Sequence, residues 1–131
     1  MAIRKVGVVG CGTMGSGIVQ VAAVSGLEVT FVARSPEKVE KGWGLIRGSL
    51  SKAVEKDKVS PQEADDARAR IRGTMRLADL EGCDIAIETI TEDLERKKEL
   101  LAELDGIVPP TVILTTNTSS FSVSEIAAAT R

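Results

Sequence analysis

The chain has 131 residues, enough for one domain with one buried core. Its 43% hydrophobic and 27% charged residues exclude disorder as the main state, and 17 basic against 19 acidic residues give no field to hold a nucleic acid backbone. There is no His and no Tyr, which removes the commonest general acid/base and its phenolic substitute, so the chain is better equipped for binding than for proton transfer.

The opening MAIRKVGVVGCG has no signal-peptide anatomy, and no apolar run approaches membrane-spanning length. The expectation is a chain of the cytoplasm, with no membrane partner and with Cys11 and Cys83 reduced, since they form no CxxC spacing. Lys5 to Val9 reads as a strand buried on both faces. Thr13 to Ser25 reads as a helix, with Met14, Ile18, Val19, Ala22 and Ala23 at helical spacing and Gly26 at its stop. Glu28 to Val32 is a second β-rich run, and strand, glycine turn, helix and strand make a right-handed βαβ unit with parallel strands.

Ser35 and Pro36 start a long amphipathic helix that reaches about Lys56, although Gly42, Gly44 and Gly48 weaken its propensity. Ser60, Pro61 and Glu63 form a capping box for a shorter helix through Ala64 to Arg70, so the two helices make a hairpin. Ile71 to Met75 reads as a short edge strand, Asp84 to Glu88 as a clearer one, Leu94 to Leu104 as a helix and Val112 to Thr115 as another strand. Ser122 and Glu125 cap a last helix from Ile126 that is still running at Arg131, which suggests a piece of something longer. The order implies an α/β fold, a doubly wound and mainly parallel sheet of Rossmann type with an inserted helical hairpin, and residues 1–131 are expected to form one domain.

Gly10, Gly12 and Gly15 form a GxGxxG between a strand and a helix, the context that gives this motif its mechanism. The first glycine permits the tight turn, and the second lets the backbone approach a pyrophosphate lying on the helix N-terminus. Gly17 stands where the helix can pack closely on the sheet. Cys11 reads as a small packing residue. At the end of the second strand, where an NAD site carries an acidic side chain for the ribose, the sequence has Ala33, Arg34 and Ser35. That set suits a 2′-phosphate, so the cofactor is expected to be NAD(P), with NADP(H) favoured over NAD(H). Glu28, at the start of its strand, lies too far away to serve the ribose.

The stretches GCGTMGSG, CDIAIET with Glu92 shortly after, and TTNTSSFSVSEIAAAT resemble the N-terminal half of 3-hydroxyacyl-CoA dehydrogenases, most nearly the bacterial 3-hydroxybutyryl-CoA dehydrogenases. The resemblance covers essentially the whole chain, and NTSS is its most specific part. It implies hydride exchange between a nicotinamide cofactor and the 3-hydroxy or 3-keto group of an acyl-CoA. It assigns Ser119 to the substrate 3-oxygen, and Glu92 and Lys97 to the cofactor pocket. Thr13, Met14 and Asn117 join the glycines in the expected cofactor set, and Ser49 and Lys56 on the long helix are matched to CoA contacts, with the hairpin as the CoA-binding arm. Ala33 departs from the family, which has Asp there. The family's catalytic histidine lies in an HFFNP stretch that this sequence does not contain, and its all-helical C-terminal domain, which forms the homodimer, is also absent. These residues are therefore expected to hold cofactor without completing turnover. The competing readings are a regulatory dinucleotide-sensing domain and a dehydrogenase of free hydroxy acids. A short-chain dehydrogenase is excluded by the missing Tyr.

Overall fold

The computed structural model describes residues 2–90 and 93–116. Among the described residues five strands form one parallel sheet: β1 (Lys5–Val9), β2 (Glu28–Val32), β3 (Ile71–Thr74), β4 (Ile85–Glu88) and β5 (Ile113–Thr116), in the order β3-β2-β1-β4-β5. Four helices connect them: α1 (Thr13–Val24), α2 (Pro36–Glu55), α3 (Pro61–Ala69) and α4 (Leu94–Ile107). The chain winds from β1 outward to β3, returns through a single 3-10 turn at Leu77–Leu80, and continues from β4 on the other side.

The period-2 pleat explains the layers. Val6 and Val8 point into one core with Val29, Phe31, Val19, Ile46, Leu50, Ala64 and Ala67, which places α1, α2 and α3 on that face. Val9 and Val32 point into the other core with Leu80, Ala86, Leu101 and Leu104, which places α4 there. Gly7 belongs to the second face, where a Cβ would lie 2.8 Å from Leu80 Cδ2, so this glycine makes room for the 3-10 turn. The sheet is doubly wound, as the sequence predicts, and β3 is an edge strand.

The hairpin is present, and both of its helices pack back on α1. Its turn closes as a Schellman motif, with Lys58 N–H donating to the Ala53 carbonyl and Asp57 in the left-handed region at φ 56°. Gly42 is accounted for by close packing, since a Cβ there would sit 2.7 Å from Cys11 Sγ. Strand β4 starts at Ile85 rather than Asp84, whose carboxylate accepts from the Arg4 and Lys5 amides at 2.8 and 3.0 Å. The last predicted helix, from Ile126, lies outside the described residues. No helix among the described residues is long and apolar enough to cross a membrane.

Two expectations about α1 are corrected. Met14, counted in its apolar stripe, is 57% exposed, because the first turn stands clear of the core at the end of the sheet. Gly17 has open space where its Cβ would be, and the close approach belongs to Gly15, whose Cβ would lie 2.2 Å from the Gly10 carbonyl oxygen.

Candidate functional site

In an open parallel sheet the binding crevice lies beyond the carboxyl ends of the strands, where the winding reverses. Here that point falls between β1 and β4, with Val9 in register with Glu88. The glycine loop leaves β1 at this place. Gly10 has φ +94°, a left-handed conformation that turns the chain sharply, and its N–H donates to Val32 O at 2.8 Å, which ties the loop to the end of β2. The Thr89 hydroxyl lies between the glycines, 2.9 Å from Val9 O and 3.0 Å from Gly10 O. Thr89 thereby fixes the loop against β4. The sequence shows it only as the last residue of the CDIAIET stretch, directly after a strand, with no role attached.

Helix α1 begins at Gly12, and its first internal bond runs from Ser16 N–H to Gly12 O at 2.9 Å. The amides of the preceding turn point out of the helix end. Helices α2, α3 and α4 each have a side-chain cap, from Ser35, Ser60 and Asp93, whereas α1 has none. Gly12, Thr13 and Met14 are exposed around this end. The uncapped amides and the positive end of the helix dipole suit an anion, and no acidic residue lies in the first turn to oppose one. A pyrophosphate fits this cradle, because the space beside Gly12 is open where any side chain would intrude.

Cys11 is buried under Gly42, and burial pushes its thiol up to about 11, so it packs rather than reacts. Cys83 is also free and buried, and burial raises its thiol as well. Ala33 continues β2, with its N–H donating to Thr74 O at 3.0 Å, and its buried side chain leaves no carboxylate at the strand end. Arg34 follows it, exposed. The Ser35 hydroxyl accepts from Lys38 N–H at 3.2 Å as the cap of α2.

Ser49 lines a groove of about 270 Å³ between α1 and α2, with Thr13, Ser16 and Gly17 on one wall and Gly44, Gly48 and Lys52 on the other. Lys56 lies two turns further on, exposed at the carboxyl end of α2 and outside that groove. A second concavity, of about 310 Å³, opens at the amino ends of the strands, away from the loop.

Lys97 reaches the carboxyl end of β4 from α4 and is fully buried, its Nζ 2.6 Å from Glu88 Oε2 and 3.1 Å from Ile90 O. Glu88 was not among the residues the sequence marked, although a carboxylate closing the apolar run Ile85–Ile87 is a signal of its own. Glu92, Asn117 and Ser119 lie outside the described residues. Among the described residues no cluster of side chains could hold a metal.

Residues 5–131 match the family described as 3-hydroxyacyl-CoA dehydrogenase, NAD binding domain. The chain is 39% identical over 128 residues to 3-hydroxybutyryl-CoA dehydrogenase of Bradyrhizobium diazoefficiens, covering 98% of this chain and 44% of that protein. It is 42% identical over 131 residues to the 3-hydroxybutyryl-CoA dehydrogenase of Mycobacterium tuberculosis, covering 99% of this chain and 46% of the relative. Among solved structures, (S)-3-hydroxybutyryl-CoA dehydrogenase PaaH1 from Ralstonia eutropha superposes with a TM-score of 0.95 at 43% identity, covering 98% of this chain and 46% of that one. M. tuberculosis FadB2 superposes with a TM-score of 0.98 at 42% identity, covering 100% and 46%. The chain thus spans less than half the length of these relatives. From the glycine cradle, the doubly wound sheet and these matches together, the chain belongs to the NAD-binding domain family of the 3-hydroxyacyl-CoA dehydrogenases.

Proposed function

We propose that residues 1–131 act as one unit that holds the dinucleotide for a dehydrogenase of 3-hydroxyacyl-CoA, with 3-hydroxybutyryl-CoA as the substrate its relatives' names suggest. The observation that carries this reading is the uncapped N-terminus of α1 behind the Gly10–Gly15 turn, a cradle that leaves its donors to a bound pyrophosphate. When bound, the nicotinamide exchanges hydride with the 3-carbon of the substrate. The chain's own residues bind and orient. Gly12, Thr13, Met14 and Gly15 receive the pyrophosphate, Glu92, Lys97 and Asn117 serve the nicotinamide side, and Ser119 hydrogen-bonds the substrate 3-oxygen. Ser49, in its groove beside α1, and Lys56 contact CoA. No imidazole is present among these 131 residues, so they do not turn over acyl-CoA unaided.

Cofactor choice follows from the end of β2. Ala33 offers no carboxylate to the ribose, while exposed Arg34 supplies a guanidinium beside the α2 N-terminus, an arrangement that favours a 2′-phosphate and therefore NADP(H). Competitive titration of NADPH and NADH against the wild type and an Ala33→Asp/Arg34→Gln variant tests this. A charge-assisted contact contributes about 1.5–3 kcal/mol, so the variant should lose roughly tenfold to a hundredfold in NADPH affinity and come to prefer NADH. Equal or tighter NADH binding by the wild type would overturn the assignment of Arg34, and binding of neither would overturn the site itself.

A further inference from the structure

Glu88 and Lys97 are charged side chains with no exposure at all. A buried ion pair is no more stable than well-packed apolar residues of the same volume, so stability alone gives no reason for it. Its geometry gives one. Glu88 Oε1 accepts from the Thr116 hydroxyl, and Oε2 accepts from Ile90 N–H at 2.6 Å and from Lys97 Nζ at 2.6 Å. Lys97 Nζ also donates to Ile90 O at 3.1 Å. One carboxylate therefore joins the carboxyl end of β5, the first residues after β4, and α4.

These three segments share a location. A sheet of this winding holds a dinucleotide across two halves, the adenosine half beyond β1–β3 and the nicotinamide half beyond β4 and β5. The side-chain hydrogen bonds of Glu88, to Ile90, Lys97 and Thr116, lie on the second half, while its backbone pairs with Val9 at the seam. We infer that Glu88 is a positioning residue for the nicotinamide half of the site: without touching the cofactor, its carboxylate sets the ends of β4 and β5 and Ile90, just after β4, in the arrangement that receives nicotinamide riboside. The inference rests on the dinucleotide-binding reading above.

Replacing Glu88 by Ala strands Lys97 in the core, so the informative variants are milder. Thr116→Val removes one hydroxyl at nearly constant volume and leaves the ion pair in place. Glu88→Gln keeps the shape and an acceptor for Ile90 N–H. Both are titrated, with the wild-type chain, against NADH and against ADP, which occupies the adenosine half and the pyrophosphate cradle alone. NADH affinity should fall roughly threefold to tenfold in Thr116→Val and further in Glu88→Gln. ADP affinity should stay within about twofold of wild type, because the hydrogen bonds lost lie outside its half of the site. Thr116→Ser should restore NADH binding. Unchanged NADH affinity in Thr116→Val, or an equal loss of NADH and ADP, would show a merely structural pair and overturn the inference. A wild-type chain that binds neither ligand would overturn the dinucleotide reading as well.

Discussion

Gly12 and Gly15 stand three residues apart in one motif, and replacing them should damage different properties. At Gly12 the backbone is extended, with φ −82° and ψ −156°, and an added Cβ meets nothing within 4 Å. Gly12→Val should therefore behave as a surface change, within about 0.5 kcal/mol of wild type and roughly 2 °C in Tm. The new side chain would occupy the space through which a pyrophosphate approaches the α1 amides. Losing two charge-assisted hydrogen bonds of about 1.5 kcal/mol each corresponds to a fall of roughly a hundredfold in dinucleotide affinity. At Gly15 the added Cβ would lie 2.2 Å from Gly10 O and 2.8 Å from Thr89 Oγ1, so the start of α1 must move away from the loop. The overpacking costs about 1–3 kcal/mol, offset in part by the ~1 kcal/mol that Ala gains over Gly in a helix. Gly15→Ala should lower Tm by several degrees and weaken binding only as far as the loop is displaced. Thermal melts followed by circular dichroism, paired with NADH fluorescence titrations, separate the two cases. The reasoning fails if Gly12→Val binds NADH like wild type, or if it melts as low as Gly15→Ala.

Two further outcomes follow from titratable groups. With the Cys11 thiol at about 11 and Cys83 raised by burial, neither should react with a thiol reagent at pH 8 in the native chain, and both should react in denaturant; rapid native labelling of either would contradict the packing described. Asp84 is held below the usual aspartate range by the Arg4 and Lys5 amides, so its contribution is complete above that range and is lost as pH falls through the lowered native value. Asp84→Asn should melt lower than wild type near neutrality and show a shallower fall of Tm with acid, and parallel Tm curves for the two would refute the assignment.

The elements legible in the sequence are those with strong local signals. The β-branched run Lys5–Val9 closing on glycines, and the two Ser-Pro starts at Ser35 and Ser60, lie where the structure has β1, α2 and α3. The 3-10 turn at Leu77–Leu80 gave no such signal, because what fixes it is Leu80 seated over Gly7, a contact distant in sequence. The same limit applied to the site. The glycine loop and the end of β2 are local and could be read directly, while Thr89, Glu88 and Thr116 acquire their partners only when β1, β4 and β5 lie side by side. Met14 was misplaced because helical spacing says which residues share a face but not where the core ends.

The position of β1 has a consequence for how the chain assembles. It precedes the other four described strands in the chain and is the middle strand of the sheet, so β2 can pair with it and β3 with β2 while its other edge stays open. That edge is filled only when β4 arrives, some 80 residues later at the Val9–Glu88 pairing. The later step closes a long loop and is the slower one on entropic grounds. The dinucleotide crevice lies across this seam. A bound cofactor would therefore act as a staple between the early and late halves, drawing their local opening into one cooperative event.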